Sequence, residues 1–94
     1  MELRFTWDPR KAVANFRKHG VSFHEAATSF ADPFSITVPD IDHSVPERRF
    51  VLIGLSIREQ LLVVVHAERE ESDIRLISAR LASRRERHTY EEED

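Results

Sequence analysis

Three apolar runs joined by short charged links fill the second half of this chain: Arg49 to Leu55, Leu61 to His66 and Ile74 to Arg80. Valine, isoleucine and leucine dominate them, which suits a pleated and largely buried surface. The links are too short for a crossover helix, so the runs are predicted to pair as antiparallel hairpins. Apolar residues occupy both faces of each run. Alternation therefore does not fix which way Arg49 and Arg80 point.

The first half is punctuated by helix signals. Leu3 to Trp7 reads as a short strand. Asp8-Pro9 then opens a helix, with aspartate as N-cap and proline at the first helical position. Gly20 stops it, since glycine accepts the left-handed conformation at a helix end. Ser22-Phe23-His24-Glu25 is a capping box. Phe23, Ala26, Ala27 and Phe30 follow at i, i+3, i+4 and i+7 as an amphipathic stripe that Asp32-Pro33 ends. Phe34 to Val38 reads as a strand, and Pro39 to Pro46 as a polar loop. A final helix begins at Ser83, with Glu86 completing a second capping box. Apart from Tyr90 this helix lacks an apolar face, and its acidic last turn opposes the helix dipole. It is expected to dock weakly and to be ordered or displaced by a partner. The predicted class is α+β: one domain over 1–94, a small and mostly antiparallel sheet, two N-terminal helices packed on one face, and a short C-terminal helix.

Composition narrows function. There are no cysteines among the 94 residues, so disulfides and thiolate metal sites are excluded, in keeping with a reducing cytosol. No apolar run approaches membrane-spanning length. The net charge of −3 disguises an uneven distribution. The last four residues, Glu91 to Asp94, are all acidic, and without them the balance is 14 basic to 13 acidic residues. Between Arg75 and Tyr90 lie Arg75, Arg80, Arg84, Arg85 and Arg87, against Glu86 alone. A strand end, a group of guanidinium ions and a phenol together suit phosphate binding. His24, His43 and His88 are scattered. Asp40 and Asp42 lie near His43 but lack the spacing of a metal site, so no metal or other cofactor is expected.

Several ordered motifs resemble the BrnT family, toxins of bacterial type II toxin–antitoxin pairs. They are Phe5-x-Trp7-Asp8-Pro9-x-Lys11-Ala12-x-x-Asn15, Lys18-His19-Gly20-Val21-x-Phe23-x-Glu25-Ala26, Glu47-x-Arg49, Val63-Val64-Val65-His66-x-x-Arg69, Ile74-Arg75-x-Ile77-Ser78-Ala79-Arg80 and Glu86-Arg87-x-x-Tyr90. Leu81 departs from the pattern, since a basic residue often stands there. The resemblance implies a RelE-like fold, cytoplasmic RNA cleavage that slows translation, and neutralisation by a BrnA-like ribbon-helix-helix antitoxin. Promoter DNA would be reached only through that antitoxin. The alternative is a non-catalytic module that acts as co-repressor with a DNA-binding antitoxin.

Metal-free RNA cleavage needs a base for the ribose 2′ proton, cations for the charge that builds on phosphorus, and an acid for the leaving 5′ oxygen. Arg49, Arg69 and Arg80 are the candidate phosphate clamp, His66 and Glu47 the candidate acid–base groups. Arg75, Arg84, Arg85 and Tyr90 are candidate RNA contacts. Lys18, His19 and Arg87 are candidate antitoxin contacts, although a cation at a helix C-terminus also serves the dipole.

Overall fold

The computed structural model describes residues 2–41, 47–70 and 72–92. Strand β1 (Arg4–Thr6) leads into helix α1 (Pro9–His19) and α2 (Phe23–Thr28), which tightens into a 3₁₀ turn at Ser29–Ala31. Strands β2 (Ile36–Pro39), β3 (Arg49–Leu55), β4 (Leu61–Glu70) and β5 (Asp73–Leu81) follow, then helix α3 (Arg84–Glu92). The strands form one sheet in the order β1-β5-β4-β3-β2. Pairings from β2 to β5 are antiparallel, but β1 joins the edge of β5 in parallel. The sheet is thus mixed, where a mostly antiparallel one is expected from the links. The two helices between β1 and the other strands give the chain the crossover length that a parallel pairing requires.

Local signals act largely as their chemistry dictates. The Asp8 carboxylate accepts from Arg10 N–H, and Gly20 closes α1 in the left-handed region at φ 72°. Ser22 caps α2 by accepting from Glu25 N–H at 3.0 Å. Glu25 does not return the favour as a capping box would have it. Its buried carboxylate instead accepts from Ser56 Oγ at 2.7 Å, tying α2 to the β3–β4 turn. The strand expected at Phe34 begins at Ile36, because Asp32 captures Phe34 N–H and Ser35 N–H in a turn. Strand β4 runs four residues past His66.

The core lies between the helices and one face of the sheet. Val21, Phe23 and Ala26 meet Leu62, Val64, Ile74, Leu76 and Ala79 there, flanked by Phe5, Trp7 and Phe30. Gly54 is needed on this face, since a Cβ would stand 2.8 Å from the Ser29 carbonyl oxygen.

Two irregularities decide which side chains share the opposite face. Val65 pairs with Ser78 but His66 with Leu76, which leaves Ile77 as an extra residue in β5. Arg75 and Arg80 are an odd number apart and would fall on opposite faces of a regular strand. The bulge restores them to one face, Arg75 beside Ala67 and Arg80 beside Val63. A second shift, between Glu68 and Glu70, makes Arg69 the extra residue of β4.

Beyond the short β1, the free edge of β5 is closed by a side chain. Buried Asn15 donates to Val21 O at 3.0 Å and Ala79 O at 2.8 Å, and accepts from Ala79 N–H at 3.0 Å. Its amide thus stands in for a missing strand and locks α1 to the sheet. Asn15→Ala is expected to lower stability by about 2–4 kcal/mol, because buried backbone groups lose their partners. Urea denaturation checks this.

Candidate functional site

The face turned away from the helical core carries one row across four strands: Arg49 on β3, Ala67 on β4, Arg75 on β5 and Thr6 on β1. Adjacent strands are ~4.8 Å apart, so Arg49 and Arg75 flank the small Ala67 side chain at roughly 10 Å between backbones. Glu47 reaches between them. Its carboxylate accepts from the Arg75 guanidinium and lies 4.0 Å from Arg49 Nε. The Nε atoms of Arg49 and Arg75 are both buried, and neither has a hydrogen-bond partner among the described residues. A nearby open cleft of about 580 Å³ is lined by Arg4, Thr6, Arg69, Asp73 and Arg75. Arg4 is paired there with Asp73 at 3.0 Å.

The three arginines of the expected clamp are therefore distributed unevenly. Arg49 stands in the central row, and Arg69 lines the adjoining cleft together with Arg75. Arg80 is on the same face but four β4 residues further along, roughly 13 Å away. Its guanidinium is engaged by Glu86 through two bonds of 2.8 Å. The close neighbour of Arg49 is Arg75, which the sequence suggests only as an RNA contact.

Glu86 does three things at once. It receives the Arg80 fork, accepts from Ser83 N–H at 2.8 Å, and gives its own N–H to Ser83 Oγ at 3.2 Å. The Arg80 guanidinium, ahead of the Ser83 bonds, holds the Glu86 carboxyl down at about 2, and Glu86 in turn raises Arg80 above its ordinary value. At the far end of α3, the Tyr90 hydroxyl donates to Asp32 at 2.6 Å. Burial works to raise the Asp32 carboxyl. The Tyr90 hydroxyl and the N–H groups of Leu55 and Phe34 outweigh it and hold the carboxyl below the usual range. Helix α3 buries no residue completely, as its thin apolar face implies, but polar contacts pin it at both ends. Arg84, Arg85 and Arg87 are exposed on it.

His66 sits on the other side of the sheet. Its ring is wholly buried, edge-on to Phe30 at 4.8 Å and stacked on Phe50 at 5.8 Å. Nε2 lies 3.2 Å from Glu68, and Nδ1 has no partner among the described residues. Burial pushes this imidazole below its ordinary range, and Glu68 offsets the effect only in part. The sheet separates His66 from the Glu47 row, and its ring lies buried on the core side. Lys18 and His19 stand with Lys11 beside Ile77 and Ser78, in a shallow groove at the β5 edge. Among the described residues, no group of three or more His, Asp or Glu side chains is placed to hold a metal ion. Asp42 and His43 lie outside the described residues. None of the described helices is long and apolar enough to cross a membrane.

An α+β fold with a mixed five-stranded sheet and an arginine-rich face thus defines the class. Residues 7–86 match the family model described as the ribonuclease toxin, BrnT, of type II toxin–antitoxin systems, and the chain belongs to that family. Its members are ribonuclease toxins of type II toxin–antitoxin systems, which implies an RNA target and, separately, a protein antitoxin as partner. The 1.1 Å crystal structure of the Brucella abortus ribonuclease toxin BrnT shares the fold with a TM-score of 0.66. Identity is 21%, over 87% of this chain and 99% of that one. No curated protein matches the sequence.

Two pH dependences follow. The His66 imidazole is held below its unfolded value of 6.5, so its contribution to stability is complete above that pH and declines as pH falls toward the lower folded value. The melting temperature should drop from pH 7 to pH 5, and less steeply in His66→Phe. The Glu86 carboxyl lies below its unfolded value of 4.5, so its contribution is full above that pH and is lost as pH falls toward about 2. Amide protection in α3 should decline over that lower window, and Glu86→Gln should remove the dependence at the N-terminal turn while leaving the part that Asp32 contributes through Tyr90.

Proposed function

We propose that this chain is a metal-independent endoribonuclease toxin whose reacting phosphate binds over Ala67, between Arg49 and Arg75. The supporting observation is the carboxylate of Glu47 set between two guanidinium groups whose buried Nε atoms are unpartnered among the described residues. An incoming phosphodiester presents the acceptor oxygens that those donors lack. Arginine suits this task because its planar fork matches a phosphate and stays charged at any working pH. Displaced from Arg75 by the phosphate, Glu47 becomes the base. It takes the 2′-hydroxyl proton as the 2′ oxygen attacks phosphorus. The bond to the 5′ oxygen breaks, leaving a 2′,3′-cyclic phosphate on one fragment. The 5′ oxygen takes a proton from water in the open cleft. Arg69 and the outward cations of α3, Arg84 and Arg85, hold flanking nucleotides.

Within this proposal Arg80 positions α3 through Glu86 instead of clamping the reacting phosphate. The toxin works in the cytoplasm, on a fold of the RelE type. It slows translation, and a ribbon-helix-helix antitoxin neutralises it and carries it to promoter DNA.

Glu47→Gln and Arg75→Ala should each lower RNA cleavage by on the order of 10²–10³-fold with the fold retained. Arg80→Ala should cost less than about tenfold in rate while loosening α3. The assay follows a fluorescent oligoribonucleotide with chelator present. Intact RNA with the wild-type protein, together with normal translation after induction, would favour the alternative of a non-catalytic co-repressor.

A further inference from the structure

The outer side of α1 bears an apolar groove, separate from the arginine face, whose floor is the outer surface of the core and whose Val13 and Phe16 walls are left open. Trp7, Ala12, Val13, Phe16 and Phe23 line it, with Arg17 and His24 at the rim. Val13 and Phe16 are 52% and 56% exposed, although they project from a well-formed helix. Trp7 packs edge-on against Phe23 at 5.9 Å and His24 at 4.9 Å, so it forms a defined aromatic wall of the groove. Val13 and Phe16 are three residues apart on one helical face, the spacing that a partner helix meets ridge against groove. Exposed apolar side chains gathered in this way, next to a tryptophan and with Arg17 at the rim, mark an interaction surface.

Charge selects the occupant. Arg17 stands at the rim, and helix α1 carries no acidic residue that would repel an acidic partner. We infer that this groove docks an amphipathic, acid-flanked helix of the cognate antitoxin, its apolar stripe seated on Val13, Phe16 and Trp7. The groove lies on the helical side of the molecule, whereas Glu47 and its arginines lie across the sheet. Docking here therefore anchors the antitoxin without covering the proposed reaction centre, which a separate antitoxin segment must reach. The inference rests on membership of a toxin–antitoxin family, and a binding measurement tests it whether or not Glu47 is a catalytic base.

Trp7 is the only tryptophan of the chain and reports directly on the groove. The experiment mixes full-length toxin with antitoxin whose own tryptophans are replaced by phenylalanine, and follows emission and affinity. Binding should shift Trp7 emission to the blue. The double variant Val13→Glu, Phe16→Glu should weaken binding by on the order of 100-fold or more. Its circular dichroism and melting temperature should stay near wild type, because both side chains are exposed. RNA cleavage by the double variant should be unchanged in the absence of antitoxin. Unmoved Trp7 emission, or variant affinity within about threefold of wild type, would overturn the proposal. So would a Trp7 response to an RNA oligonucleotide instead of antitoxin, or loss of a toxin homodimer in the double variant on size-exclusion chromatography. A single variant, Val13→Ser, gives the same test with minimal change of charge, and should weaken binding by roughly tenfold.

Discussion

One extra residue in β5 decides what this molecule can present to a ligand. Strands alternate, so side chains an odd number apart oppose each other across the sheet. Arg75 and Arg80 break that rule only because Ile77 is bulged between them. The same bulge lets Leu76 and Ala79, also an odd number apart, both enter the core. A single backbone irregularity thus serves packing and surface together. Without it, either the core would lose an apolar side chain or the basic face would lose a guanidinium.

The consequence is a division of labour across the sheet. One face packs His66 and Phe50 of the sheet against the helical layer, where Phe30 meets the His66 ring. The other holds Glu47, Arg49, Arg75 and the cleft beside Arg69. Ala67 matters here as an absence of bulk, since two arginines and a carboxylate can gather over it. Helix α3 crosses the far part of that face. It is held less by apolar burial than by the Arg80–Glu86 fork at one end and the Tyr90–Asp32 bond at the other.

Much of this architecture was legible in the residues. Asp8-Pro9, Gly20, Ser22 and Ser83-x-x-Glu86 place the helices because caps act over a few neighbouring atoms. The strand runs are visible because they are apolar and closely linked. What the sequence withheld was register. With apolar residues on both faces, no pattern reveals an extra residue at Ile77 or Arg69, and so none predicts that Arg75 joins Arg49. The parallel pairing of β1 is equally silent, being a long-range choice by three residues. Glu25 shows the limit of a local motif: it has the spacing of a capping box, yet burial and Ser56 Oγ claim its carboxylate. His66 is a candidate acid–base group by its imidazole chemistry, and it closes an apolar strand of valines. That position puts it in the core. Asp42 and His43 fall outside the described residues.

In the proposed reaction, phosphate is gripped over Ala67 by Arg49 and Arg75. Nitrogen-15 spectra of the arginine Nε–H groups, recorded while a 2′-deoxy-blocked RNA oligonucleotide is titrated in, address it at the atoms concerned. The Arg49 and Arg75 signals should move together and saturate with the oligonucleotide, while Arg80 stays at its Glu86-bound position. Movement of Arg80 with Arg49 and Arg75 unchanged would place the phosphate elsewhere than over Ala67.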